Sequence, residues 1–176
     1  RKKGLEQLDL AARHSKYART ESTYFLMQNY FSFEKDYIKA LELARQLQSR
    51  YPRNPLFHRY LGRCLVSVGF LSDANEEFVE IEKRYREKHT GYDIYDGREA
   101  YYYIGKYDFI AGKLDKSFAN LLICDSLSRK IDREGPSGFM SLANLMMGMI
   151  YDLQNKRDYA LQQYRKVLAM KEYETS

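Results

Sequence analysis

The chain of 176 residues has no tryptophan, three prolines, two cysteines and three histidines. Each scarcity argues against a class of protein. Cys64 and Cys124 lie far apart without CxxC spacing, so neither a disulfide framework nor a zinc site is indicated. Each sits in an apolar helical stretch, where a buried free thiol is expected. His14, His58 and His89 are scattered, with none in HExxH spacing or in a Cys-His arrangement. No GxSxG, phosphate-binding loop or GxGxxG occurs. Catalysis is therefore not expected, and no cofactor or metal is called for. No apolar run approaches the ~20 residues of a membrane span, and no charged-then-apolar leader is present. Charge of one sign is also missing. The 29 Lys and Arg against 24 Asp and Glu leave a net charge of only +5, spread along the chain. The densest basic cluster, Arg84-Tyr85-Arg86-Glu87-Lys88, reads as solvated surface rather than the concentrated stripe of a nucleic-acid reader.

What remains is helix. The prolines, Pro52, Pro55 and Pro136, fall between periodic segments, where they mark boundaries. Alternating runs bounded by hairpin turns are absent. Ile38, Leu41, Ala44 and Leu47 trace the i, i+3 stripe of an amphipathic helix, as do Phe78, Ile81 and Tyr85. Leu114, Phe118, Leu121 and Leu122 form a third such face, and Ala160, Tyr164 and Val167 a fourth. The pattern predicts helix pairs at about 22–33 with 36–50, 56–69 with 73–88, 98–111 with 115–133, and 138–153 with 157–171. An incomplete helix around 5–18 precedes them. The 17 tyrosines and 9 phenylalanines suit half-buried positions between helices and on binding surfaces.

A second regularity overlies the first. Gly62 precedes Ala74 by twelve residues, Gly105 precedes Ser117 by the same step, and Gly148 precedes Ala160. Gln28 before Ala40 is a weaker copy, and Ala40 to Ala74 is 34 residues. A small residue on one helix facing a small residue twelve on lets two antiparallel helices approach closely. A fixed period of this size means stacked helical units.

These positions resemble the tetratricopeptide repeat, a helix–turn–helix of about 34 residues. His58, Leu61-Gly62, Leu65, Ala74, Phe78 and Ile81 carry the likeness in the second copy. Tyr101, Ile104-Gly105, Ser117, Leu121 and Cys124 carry it in the third, and Met147-Gly148, Tyr151, Ala160, Tyr164 and Val167 in the fourth. The first copy has Tyr24, Met27, Phe31, Ala40, Leu47 and Pro52, with Gln28 in place of the glycine. The resemblance implies an all-α superhelix, a solenoid of antiparallel helix pairs. Residues 1–20 are then a partial leading helix of an upstream repeat, and 21–176 a repeat domain with copies at about 21–54, 55–97, 98–140 and 141–174.

The spacing departs from 34 in two places. Gly62 to Gly105 and Gly105 to Gly148 are each 43 residues, nine more than the period. The first surplus is expected as a loop over Lys88–Gly97, and the second as a longer helix from Asp115 with a turn over Glu134–Gly138. Two readings of these insertions stand side by side, a binding loop and a spacer that adjusts stacking. Asp93, Asp96 and Gly97 faintly suggest a cation loop without the EF-hand spacing. Met146, Met147 and Met149 read as core or as an adaptable contact face rather than as a soft-metal site.

The resemblance also implies a concave wall lined by the first helix of each pair. Its inward positions are Phe25 and Asn29, Arg59 and Arg63, Tyr102 and Lys106, then Leu145 and Met149. Aromatic ends and a cationic centre favour an acidic or carboxylate-bearing extended peptide. The expected function is a protein-interaction scaffold within a longer bacterial protein. The alternatives are a chaperone or assembly factor for secreted or envelope proteins, and a regulatory array fused to an enzyme. Partners are then proteins or peptides, with no nucleic acid and no membrane span. The compartment stays open between cytoplasm and bacterial periplasm or envelope. The chain begins at Arg1 and stops soon after the last helix, so exposed apolar ends and a homodimer are also expected.

Overall fold

Helix starts are set by short polar side chains that take up the unpaired backbone N–H groups of a first turn. Asn54 accepts from the N–H groups of Leu56 and Phe57, with Pro55 in the first helical position where its missing donor costs nothing. Asp36 accepts from Lys39 and Ser137 from Met140 in the same way. Asp93 accepts from Tyr95 and Asp96, and Asp96 returns the bond by accepting the Asp93 N–H at 2.8 Å. The aspartates that faintly suggested a cation loop thus form a reciprocal helix cap.

A computed structural model describes residues 2–133 and 135–170. Among the described residues every regular element is helical: α1 Lys2–His14, α2 Arg19–Asn29, α3 Tyr37–Arg50, α4 Pro55–Val68, α5 Leu71–Arg86, α6 Ile94–Ile110, α7 Leu114–Ile131, α8 Gly138–Leu153 and α9 Arg157–Ala169. A π-helical turn, Tyr30–Glu34, continues α2 and ends on Lys35 in the left-handed conformation. Gly69, at φ 95°, stops α4 in the backbone conformation that glycine adopts without strain. The chain divides into two compact units, the first ending at Glu77 and the second starting at Phe78, both within α5.

The expected helix pairs are all present, with ends shifted by a few residues. The main difference lies in the surplus between Gly62 and Gly105. Helix α6 starts at Ile94, so the second half of the expected Lys88–Gly97 loop is its first turn. Gly62 lies seven residues into α4, whereas Gly105 lies eleven into α6 and Gly148 ten into α8. Relative to the first hairpin, most of each nine-residue surplus lengthens helices and only two or three residues go to the connection. The remaining connection is held down, with Tyr92 buried and its hydroxyl accepting from Arg84 Nη1 at 2.9 Å. The turn expected over Glu134–Gly138 ends one residue early, because Gly138 opens α8; Glu134 lies outside the described residues.

In the first unit Met27, Leu41, Ala44, Leu47, Leu61, Leu65 and Ala74 form one buried cluster, sealed by the rings of Tyr24, Phe57 and Tyr60. In the second, Tyr102, Leu121, Cys124, Ala143, Met147 and Ile150 do the same. The twelve-residue step is the contact register of the hairpins. Ala40, Ala74, Ser117 and Ala160 are all buried. Ser117 Oγ donates to the Gly105 carbonyl at 2.8 Å, and the pairs Asn120–Asp108 and Tyr164–Asp152 repeat the step by hydrogen bond. A second register, nineteen residues, joins each first helix of the second unit to the helix before it. Tyr101 donates to Glu82 Oε1 at 2.7 Å and Asn144 to Asp125 Oδ1 at 2.6 Å, both four residues before the hairpin glycine.

A methyl group on Gly105 would sit 2.9 Å from Leu121 Cγ and 3.3 Å from the Ser117 carbonyl oxygen. Because part of that obstacle is backbone, the helices must separate, and Gly105→Ala is expected to cost about 1–3 kcal/mol. Urea unfolding that matched the parent would overturn this packing.

Both cysteines are fully enclosed, and burial pushes each thiol up to about 12. The nucleophile is the thiolate, so neither Cys64 nor Cys124 should react with a disulfide reagent at pH 8 in the folded chain. Both should react once denaturant is added. Fast labelling of the native protein would show that the cores open readily.

Candidate interaction surfaces

The wall residues lie on first helices, so their exposure depends on what the neighbouring helix covers. In the first unit, Phe25 on α2 is half exposed and its ring leans on Tyr24 at 5.6 Å between centroids. Asn29, one turn on, spends its amide on the Phe25 carbonyl at 2.8 Å, which fixes its rotamer. Arg59 and Arg63 are half-buried on α4, and the Arg63 guanidinium lies 5.3 Å from the centroid of the Tyr60 ring. Gln28 holds this surface together, donating to Tyr24 Oη at 2.7 Å and Tyr60 Oη at 2.8 Å. The residue that replaces glycine in the first copy thus clamps two phenols across two neighbouring first helices. Burial and the neighbouring Tyr60 phenol together raise the Tyr24 phenol above its ordinary value.

In the second unit the expected wall residues separate. Leu145 and Met149 on α8 are exposed, and Lys106 on α6 is half-buried. Tyr102, expected on the wall, is only 7% exposed, and its ring packs edge-on against Tyr103 and Phe139. Its phenol is raised first by burial and then by Cys124 beside it. The methionines diverge around α8, since Met147 is core, Met146 borders the core and Met149 faces outward. His58 is buried and its Nε2 sits 2.8 Å from Glu77 Oε2, a satisfied core contact. The basic cluster is largely paired, Arg84 with Glu80 and Arg86 with Glu82.

No protein-family model matches the chain, and no curated protein matches it in sequence. Solved structures do match in fold. MamA 41-end from Desulfovibrio magneticus RS-1 superposes with a TM-score of 0.71 at 16% identity, over 99% of this chain and 88% of that one. TPR-like repeats of a putative kinesin light chain from Podosopora anserina give 0.64 at 17% identity, over 94% and 82%. RapI in its apo form gives 0.71 at 14% identity, over 92% of this chain and 58% of that one. The fold is that of the tetratricopeptide repeat.

In tetratricopeptide register the hairpin glycine aligns equivalent positions on successive first helices. Lys106 and Met149 each follow that glycine directly, and Ile110 and Leu153 each stand five residues beyond it. α6 and α8 pack against each other, so repeat register pairs Lys106 with Met149 and Ile110 with Leu153 on neighbouring first helices of the second unit. Leu142 and Leu153 continue the exposed face of Leu145 and Met149 and were not among the expected site residues. One signal for them was present in the sequence, because α8 carries a single charged residue, Asp152. Among the described residues no three His, Cys, Asp or Glu side chains cluster as metal ligands. No described helix is long and apolar enough to cross a membrane.

Proposed function

We propose that the chain is a protein-interaction module whose first unit binds an acidic, extended peptide segment. The observation that carries this reading is the placement of Phe25 and Asn29 on α2 and of Arg59 and Arg63 on α4, two first helices joined by the Gln28–Tyr60 hydrogen bond and the Tyr24–Tyr60 ring contact. Two half-buried guanidiniums give α4 positive charge that favours carboxylates, and the half-exposed Phe25 ring offers an apolar platform on the neighbouring first helix. The tyrosines beneath are locked by Gln28, so the surface is preorganised and little side-chain entropy is lost on binding. Support also comes from the fold, since repeats of this type expose extended walls that bind other chains.

The test is a titration of a fluorescein-labelled peptide alternating Glu and Phe into the full chain. Arg59→Glu with Arg63→Glu should weaken binding at least ~tenfold through like-charge juxtaposition. The melting temperature should stay within a few degrees of the parent, because neither arginine is in the core cluster. Unchanged affinity in the double variant rejects this wall.

A further inference from the structure

Helix α8 is short of charge and yet open on one side. A helix apolar on every face is normally enclosed. Met140, Ala143, Met147 and Ile150 are enclosed, and α6, α7 and α9 all pack against α8. The remaining face is not: Leu142, Leu145, Met149 and Leu153 stay 44%, 38%, 40% and 61% exposed. Their steps of three, four and four residues make one ridge along the whole helix. On α6, which packs against α8, repeat register places Ile110, 57% exposed, opposite Leu153 and Lys106 opposite Met149.

We propose that this ridge receives an amphipathic α-helix of a partner protein, apolar on one face and acidic along its edge. The apolar match follows from shape, since a straight row of Leu and Met side chains accepts the i, i+3, i+7 face of a second helix. Flexible thioether and isobutyl groups adjust to it. Charge selects the edge. The one acid on α8, Asp152, is already used: it accepts from Arg157 Nη1 at 2.8 Å and from Tyr164 Oη at 2.6 Å. Lys106 has no acidic partner among the described residues. Lys156, just past the end of α8, donates to Gln154 Oε1 at 3.0 Å, and the same amide donates to Asp115 Oδ1 at 3.3 Å, so Lys156 and Asp115 balance each other there. Among the described residues Lys106 is therefore the charge left uncompensated beside the ridge, and an acidic-edged helix supplies its complement. A second copy of this ridge would bring apolar area but no free acid to meet Lys106. The proposal rests on reading the first helices as binding walls, but it uses the second unit and other side chains than the peptide site above.

The probes are two fluorescein-labelled synthetic helices as long as α8, each with leucine at i, i+3, i+7 and i+11. One carries glutamate along the edges of that face and the other lysine. In anisotropy titrations against the full chain the glutamate helix should bind at least ~tenfold tighter than the lysine helix. Leu145→Glu with Met149→Glu should remove that binding, and Lys106→Glu should reverse or erase the preference between the probes. If the double variant melts early, Lys106→Glu decides alone, since a half-buried surface lysine is not needed for folding. Equal affinity for the two probes, or binding that survives Leu145→Glu with Met149→Glu in a folded chain, overturns the proposal. So does a parent dimer in sedimentation that Leu153→Glu dissociates, because the ridge is then taken by a second copy. Arg59→Glu with Arg63→Glu should leave binding of the glutamate helix unchanged. Loss there would place the helix on the first unit and overturn the proposal, whereas failure of the Glu-Phe peptide alone rejects only the first-unit site.

Discussion

Phe78→Ala is expected to cost about 3–5 kcal/mol, the range for deleting a fully enclosed aromatic ring. Phe78 is 0% exposed, and its ring lies against Tyr103 at 4.3 Å and 14°, a stacked pair. Removal takes away the buried area of the ring and the pair contact, itself worth ~0.5–1.5 kcal/mol. It also leaves a cavity on α5 where Ile81, one turn on, is likewise fully buried, so collapse is restricted. Urea unfolding of the variant gives the figure directly, and a loss below about 1 kcal/mol would show that the site is not packed as described. Tyr103→Ala should cost less than Phe78→Ala, because Tyr103 is only partly buried. The two changes should be non-additive, since each removes the same contact.

Arg98→Ala is expected to cost about 3 kcal/mol, the lower end for breaking a buried ion pair from one side. Arg98 Nη1 donates to Asp132 Oδ1 at 2.8 Å and to Ser137 Oγ at 3.2 Å, and the two charged side chains are 12% and 9% exposed. Asp132 Oδ2 in turn accepts the Ser137 N–H at 2.8 Å, and Ser137 caps α8. One guanidinium therefore ties the start of α6 to the connection that positions α8, with its plane over Phe139 at 4.9 Å. Without it Asp132 keeps a buried negative charge and a single donor. Repeating the change on an Asp132→Asn background should reduce its cost by about 1 kcal/mol or more, since the two residues act as one unit. A full-sized effect on both backgrounds would mean that Arg98 acts through its ring contacts instead. Salt should weaken the effect only slightly, because screening reaches enclosed pairs poorly.

Helix identity was legible because burial along one helix follows a 3.6-residue period that the sequence writes directly. The hairpin register was legible for a related reason: Gly105 and Ser117 must both be small where two backbones approach, and the Ser117–Gly105 hydrogen bond sits at that approach. The extent of α6 was not. Ile94-Tyr95-Asp96-Gly97 looks like loop by composition, yet the reciprocal bonds of Asp93 and Asp96 start a helix there and bury Gly97 against Tyr85. Capping is a two-residue geometry, and the same aspartates read in isolation suggest a turn or a cation.

The wall was only partly legible. Repeat position alone put Tyr102 beside Lys106 and Leu145 as an exposed residue. Its ring instead joins the buried cluster and packs edge-on against Phe139 of the next first helix, α8. Equivalent repeat positions thus carry unequal exposure. Leu142 and Leu153 show the converse, being apolar residues that a periodic reading would bury and that the structure leaves open.

The sequence by itself determined an all-α chain of tetratricopeptide-type helix pairs and the small residues at which each pair closes. It did so because periodicity and steric size are local properties, carried by residues a few positions or one hairpin apart. Only the tertiary structure decided which aromatic rings seal cores, which arginines are anchored, and that α8 leaves one ridge of leucine and methionine uncovered. Those outcomes depend on contacts between different hairpins, which no local pattern in the sequence encodes.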